Sequence, residues 1–245
     1  MRKSRIVVSA DEITGEIVKF SEKKAYYVAR VLRLKPGNLL HVVHAGTELI
    51  AEIQTIDPGR VTARVIRVLT AEDQDATEII LAFSCVRPGP MEQILRHGTE
   101  LGVSSFAPIV TARSNRRPTL LKKRWEHIVE SAVGQCGRSM IPIVNAPIGL
   151  DEFLQRRTPD ESGFLLSVGQ NVPSFISELE KGASWRIVLL VGPEGGFEEM
   201  EIGAALAAGL RRVGLGNMIL RTETAALLAV GIVSVWHKRQ ADQSH

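Results

Sequence analysis

Two glycine-bearing loops carry the residue types best suited to chemistry. The first, Leu190-Val191-Gly192-Pro193-Glu194-Gly195-Gly196-Phe197, opens a helix expected over Glu198–Ala208. Glycine lets the backbone turn sharply and lets a ligand approach it closely. No Lys-Ser/Thr pair follows the glycines, and their spacing is not the dinucleotide fingerprint, so a phosphate cradle is the weaker reading. Glu194, Glu198, Glu199 and Glu201 crowd the same helix start, where they complement the helix dipole and repel an anion. The loop therefore suits a neutral or cationic ligand, or is a tight turn with no ligand. The second loop runs from Val213 through Gly214, Leu215, Gly216 and Leu220 to Arg221, then into Thr222-Glu223-Thr224-Ala225. Thr222 reads as an N-cap and Glu223 as a first-turn residue. Arg221 at the mouth of that helix serves either a structural salt bridge or the stabilisation of negative charge on a substrate. Cys136 has no histidine–acid pattern near it and reads as a packed thiol rather than a nucleophile.

These loops need a rigid frame, and the pattern from residue 78 onward supplies one. Strands are expected over 79–86, 106–111, 143–145, 163–168 and 187–191, the last a continuous apolar run of the kind that fills a buried parallel strand. Helices are expected over 91–101, 120–136, 151–156, 198–208 and 223–237. This alternation predicts an α/β domain with a mainly parallel sheet and helices on both faces. The helix over 223–237 is apolar nearly all round, so one face packs on the sheet and the other calls for a partner such as a second subunit. Residues 1–70 differ: Glu16–Phe20, Leu39–Val43, Glu48–Ile56 and Arg60–Leu69 read as short strands separated by Lys35-Pro36-Gly37-Asn38, Ala45-Gly46-Thr47 and Asp57-Pro58-Gly59 turns. One helix over 22–33 turns Tyr26, Tyr27 and Val31 inward, and the whole segment suggests a small β-barrel. The acidic stretch Thr70–Thr77 is the expected linker, giving domains over 1–72 and 73–245.

Composition excludes several classes. With 44% hydrophobic and 23% charged residues, the chain is neither disordered nor fibrous. Two cysteines are too few for a disulfide framework, and the six histidines lack metal-ligand spacing, so no metal is expected. Ile6–Val8 is too short for the apolar core of a signal peptide, and Ala225–Trp236 is too short to span a bilayer. The expectation is a soluble cytoplasmic protein that does not enter membranes. Net charge is only +3, but residues 1–70 carry +5 and residues 111–142 carry another +5. Two separate basic segments suggest a polyanion partner. Aromatics at 5% argue that a nucleic acid would not be held mainly by base stacking.

Leu190–Phe197 followed by Leu215–Ala225 resembles the signature pair of the SPOUT methyltransferase superfamily. Within it, the chain is similar to the family that methylates uracil N3 in 16S small-subunit ribosomal RNA. Further matches are Arg30-Val31-Leu32-Arg33, Met91-Glu92, Glu100-Leu101-Gly102-Val103, Pro108, Arg113 and Gln135-Cys136-Gly137-Arg138, so the resemblance covers essentially the whole chain. It implies a PUA-like barrel in front of a C-terminal trefoil-knotted domain, and a homodimer with its sites at the subunit interface. It further implies S-adenosylmethionine as donor and ribosomal RNA within the small subunit as partner. The donor pocket would be lined by Val191, Gly192, Gly195, Leu215, Gly216, Leu220, Arg221, Thr222 and Ala225, with Leu166 and Ser167 on the adenosine side. The sulfonium cation agrees with the acid-rich loop. Uracil N3 must lose a proton before or during attack, so the site needs a proton acceptor or fixed positive charge. Arg138 and Arg221 would stabilise the anion, and Glu194 or Glu223 would accept the proton. Arg2, Lys3, Arg5, Lys23, Lys24, Arg30, Arg33, Arg113, Arg116, Arg117, Lys122, Lys123 and Arg124 would track RNA phosphates, which position the substrate without choosing the base. The chain departs from the family at Pro90 and His97, where lysines are common, at Gly134 in place of a glutamate, and at Tyr27 in place of a histidine. Those departures keep open another RNA target, or an RNA-binding protein without catalysis.

Overall fold

The structure is a computed structural model that describes residues 4–44, 46–69, 77–114, 123–169 and 171–243. The expected linker up to residue 76, and Arg2, Lys3, Arg116, Arg117 and Lys122, lie outside the described residues. Contacts divide the chain into two units, 1–74 with 130–141 and 75–129 with 142–245.

Short alternating runs build the first unit. Its elements are β1 (Arg5–Val7), β2 (Ile13–Thr14), β3 (Ile17–Phe20), α1 (Glu22–Tyr26), a π-type turn over Tyr27–Val31, β4 (Leu39–His44), β5 (Thr47–Asp57) and β6 (Arg60–Leu69). The strands form one sheet in the order β1-β4-β5-β6-β3-β2, a half-barrel in which β1 alone pairs in parallel, with β4. Alternate residues point into a core that includes Val18, Leu40, Val42, Ala51, Ile53 and Ala63. Ala25 and Val28 enter this core, whereas Tyr26, Tyr27 and Val31, expected to face inward, are exposed.

The second unit is the expected α/β domain. In order come β7 (Glu78–Ser84), α2 (Pro88–Leu101), β8 (Ser105–Val110), α3 (Lys123–Cys136), β9 (Ile143–Val144), β10 (Ile148–Gly149), α4 (Leu150–Gln155), β11 (Ser162–Leu166), α5 (Phe175–Glu180), β12 (Arg186–Val191), α6 (Glu199–Ala207), β13 (Arg211–Val213) and α7 (Thr222–Gln243). Every pairing in its sheet is parallel, in the order β10-β8-β7-β12-β11-β13 with β9 also on β8. Central strands β7 and β12 are buried on both faces, which is why they read as unbroken apolar runs. Ile80, Ala82, Val188 and Leu190 face α4 and α6 through Phe153, Leu154 and Ala205. Helix α7 packs on β7 and β12 and beside α2. Ala226, Ala229, Val230 and Val233 form its buried stripe, spaced as one helical face requires, while Leu228 and Val235 stay exposed. Within one chain, therefore, only one face of this apolar helix is covered.

The two-unit division differs from a single cut at 72/73. Val133 of α3 and Ile141 pack on Val7 and Val43, and Ser139 Oγ donates to Glu48 Oε2 (3.5 Å), so residues 130–141 return to the first unit.

Candidate active site

Strands β12, β11 and β13 are adjacent and parallel, so their carboxyl ends deliver three loops to the same edge of the sheet. These are the stretches following Leu166, Val191 and Val213. Ligands of open α/β sheets bind at this edge.

The Gly192 loop is a tight turn closed by Gly196 N–H donating to Pro193 O (2.9 Å), with Gly196 at φ +71°. A Cβ on Gly192 would lie 2.8 Å from the Phe197 ring, so only glycine fits there. Glu199 and Glu201 lie in the first turn of α6 as expected, and Glu198 and Glu201 also form a reciprocal capping box, with Glu198 N–H donating to Glu201 Oε2 (2.8 Å). Glu201 Oε1 also accepts from Ala112 N–H (2.8 Å), and Arg113 Nη1 donates to Gly195 O (2.9 Å). Arg113, expected on RNA phosphates, thus braces the glycine loop.

The second loop enters α7 one residue earlier than expected. Ala225 N–H donates to Arg221 O (2.9 Å), so Arg221 holds the cap position and Thr222 is the first helical residue. The buried Thr222 Oγ1 donates across to Gly192 O (2.9 Å) instead of capping its own helix. This bond ties the two glycine loops together.

Two cavities open among the loops. The smaller, about 300 Å³, is lined by Ser167, Gly169, Val172, Ser174, Phe175, Ile176, Gly214, Leu215, Gly216, Asn217 and Ile232, none of them charged. Arg212 Nε donates to Ser167 Oγ at its rim (3.0 Å). The larger, about 590 Å³, is lined by Arg87, Pro90, Glu194, Ile219, Leu220, Arg221 and Glu223. Both volumes suit small-molecule ligands. Glu223 is only 9% exposed, and its Oε2 has no hydrogen-bond partner among the described residues. Glu194 on the same cavity is exposed. Arg221 and Arg87 form no ion pair with a described residue, so the salt-bridge alternative for Arg221 has no partner there.

The structure therefore brings Ser167, Leu215 and Gly216 to one cavity and Glu194, Leu220 and Arg221 to the other. Leu166 and Val191 are buried strand ends, while Gly192, Gly195, Thr222 and Ala225 shape the loops without lining either cavity. Arg138 is half-buried in the first unit, beside the Ser139–Glu48 bond. Of the residues expected on RNA, Arg30, Arg33 and Lys123 are exposed. Arg5 is not: its side chain is 8% exposed and pairs with Glu48 Oε2 at 2.6 Å. Sequence reasoning missed Arg87 and Arg212. Arg87 precedes α2 as its N-cap, and its only sequence signal was the Pro88 that follows it. Pro90, where the family resemblance led us to expect a lysine, lines the same cavity as Arg87, so a cation is retained there. Burial pushes the Cys85 thiol up to about 11, which makes it unreactive.

The sequence profile of the RNA methyltransferase domain family matches residues 73–234. Ribosomal RNA small subunit methyltransferase E of Synechocystis sp. is 32% identical over 233 residues, covering 94% of this chain and 77% of that protein. The protein of the same name from Bacillus subtilis is 28% identical, covering 91% and 88%. Among solved structures, ribosomal RNA small subunit methyltransferase E from Neisseria gonorrhoeae, bound to S-adenosyl methionine, superposes with a TM-score of 0.86 at 28% identity, covering 96% of this chain and 98% of that one. On a profile that spans most of the parallel-sheet unit and a relative matched along nearly the whole chain, this protein belongs to the RNA methyltransferase family.

Proposed function

We propose that the protein transfers a methyl group from S-adenosylmethionine to N3 of one uridine in 16S ribosomal RNA of the small subunit. The observation that carries this reading is the pairing of an uncharged cavity with an Arg- and Glu-lined one on neighbouring loops, two of them tied by the Thr222–Gly192 bond. Ser167, Leu215 and Gly216 would hold the adenosine, for which an uncharged wall of glycine backbone, hydroxyls and apolar side chains is suited. The carboxylates of Glu194 and Glu223 favour a sulfonium cation. When bound, the donor supplies an electrophilic methyl carbon.

The chain's own groups manage the proton and the charge. Glu223 takes the N3 proton, since its buried Oε2 has an unfilled acceptor position, whereas Glu194 is exposed. The N3 electron pair then bonds to the methyl carbon as the carbon–sulfur bond breaks, and the proton passes later to water. Arg221, permanently charged and planar, stabilises negative charge on the flanking carbonyl oxygens, and Arg87 adds a second guanidinium. The half-barrel is a PUA-like RNA-binding domain, with Arg30 and Arg33 on phosphates together with Arg2 at the N-terminus. Arg116, Arg117, Lys122 and Lys123 are its counterparts in the second basic segment. The chain winds through a trefoil knot at the three loops and works in the cytoplasm as a homodimer. Met218 and Ile219, 76% and 85% exposed, and the exposed Leu228 and Val235 of α7 supply apolar surface for the second copy.

Mass mapping of 16S ribosomal RNA tests the reading, using cells that lack the gene and cells complemented with wild-type or Arg221→Ala protein. The expected outcome is one N3-methyluridine that disappears on deletion and returns only with the wild type. An unchanged map overturns the reading.

A further inference from the structure

We infer that Tyr26 and Tyr27 form a stacking platform for unpaired bases of an RNA; the inference rests on the RNA substrate proposed above. The chain has two tyrosines, and they are consecutive, Tyr26 ending α1 and Tyr27 opening the π-type turn. Helix α1 and the π-type turn after it commit Ala25 and Val28 to the half-barrel core and bring Leu32 against it. That leaves Tyr26 65% exposed and Tyr27 42% exposed, with Val31 also outward. Isolated apolar residues on a surface need no explanation, but an adjacent pair of rings with a third apolar neighbour does.

Charge names the occupant. From Lys19 to Lys35, both included, stand six basic side chains and one acidic one. Lys24 is taken by Glu12 (2.5 Å), which leaves Lys19, Lys23, Arg30, Arg33 and Lys35 exposed and without an ion pair to a described residue. Cations attract phosphates, and rings attract the faces of bases. Bases are available to rings only where the strand is unpaired, so the combination selects single-stranded over duplex RNA. The platform is also held in place. The buried Glu12 carboxylate accepts from Ser21 N–H (2.8 Å) and Ser9 N–H (2.9 Å) as well as from Lys24, which fixes the start of α1. At the other end Arg33 adopts φ +53°, a left-handed conformation that costs energy outside glycine and recurs at functional sites.

The test uses the full-length protein and a fluorescein-labelled mixed-sequence oligoribonucleotide, single-stranded or annealed to its complement. Tyr26→Ala and Tyr27→Ala should each weaken single-strand binding by about tenfold and leave the dependence of affinity on salt unchanged. Tyr26→Phe and Tyr27→Phe should bind as wild type, since the ring is kept. Arg30→Ala should instead reduce the salt slope by about one phosphate's worth. Circular dichroism melts confirm that each variant folds. The inference is overturned by alanine variants that bind normally, by phenylalanine variants that do not restore binding, or by equal losses on the duplex. It is equally overturned if wild type binds neither probe, or if the alanine variants change sedimentation and leave RNA binding alone, which would make the platform a contact between copies. Its failure is distinguishable from that of the proposed function: ring-dependent binding with no N3-methyluridine product sinks only the latter.

Discussion

The two cavities differ in what makes them. The smaller has no charged side chain; glycine backbone, hydroxyls and apolar groups such as Phe175 and Ile232 set its shape. Four of the seven residues lining the larger are charged, two arginines and two glutamates. Shape and charge are thus built by different means on neighbouring loops. A cavity defined by backbone is damaged by adding atoms, whereas a cavity defined by charge is damaged by changing one functional group. Under the proposed function, recognition of the donor falls to the first and management of the reacting charge to the second.

Single changes can break this division. The largest expected effect is that of Glu223→Gln, which keeps the shape but removes the proposed proton acceptor. Single-turnover methyl transfer to small-subunit particles should fall by roughly 10²–10⁴-fold, with calorimetric affinity for S-adenosylhomocysteine held within about twofold. Arg221→Lys follows, at roughly 10²–10³-fold in the same rate, because lysine keeps the charge but loses the planar fork. A comparable loss of donor affinity in either variant would merge the two cavities into one functional site. Gly214→Leu should do the opposite. A Cβ there would sit 3.4 Å from Val172 and 3.7 Å from Ser167 O, so the added side chain fills the small cavity. Affinity for S-adenosylhomocysteine should drop by about 10–100-fold, the scale of overpacking a filled space. Normal affinity would place the donor elsewhere.

The smallest effect on both cavities belongs to Glu12, in the first unit. Burial would raise its pKa, but Lys24 and the Ser21 and Ser9 N–H groups outweigh it and hold the carboxyl at about 2, against an ordinary 4.5. A depressed folded-state value means stabilisation that is complete above pH 4.5 and lost as pH falls from there to 2, on the order of 3 kcal/mol in all. Glu12→Gln should therefore lower the melting temperature at pH 7 and flatten its fall on acidification. Donor affinity and transfer rate at pH 7 should stay within about twofold of wild type. A melting curve that loses stability in acid just as wild type does would remove Glu12 as the cause.

What the sequence could reveal followed the range of the forces involved. The glycine loops, the parallel strands and the crowding of Glu198 and Glu201 at the start of α6 are set by neighbours a few residues apart, and all were legible. Arg113 meets Gly195, and Arg5 meets Glu48, through folds that no local pattern encodes, so both were expected on RNA and both are engaged within the protein. Tyr26 and Tyr27 were expected inward, but Ala25, Val28 and Leu32, spaced as one helical face requires, take the core and leave both rings outside. Strand β13 was hidden by its two arginines. Arg211 earns its place there by lying 4.5 Å over the Phe164 ring and donating to Glu178 O (3.0 Å).

The Thr222–Gly192 hydrogen bond has a further consequence, for motion. A hydroxyl shared between the start of α7 and the end of β12 makes the two loops lose their conformational freedom together, so they open as one cooperative unit rather than two. Amide protons over Gly192–Phe197 and over Thr222–Ala225 should then exchange with solvent at matched rates. Thr222→Val, which keeps the shape and deletes the donor, should let the two sets drift apart. Entry and departure of a ligand at either cavity would, in the intact protein, be timed by the same opening event.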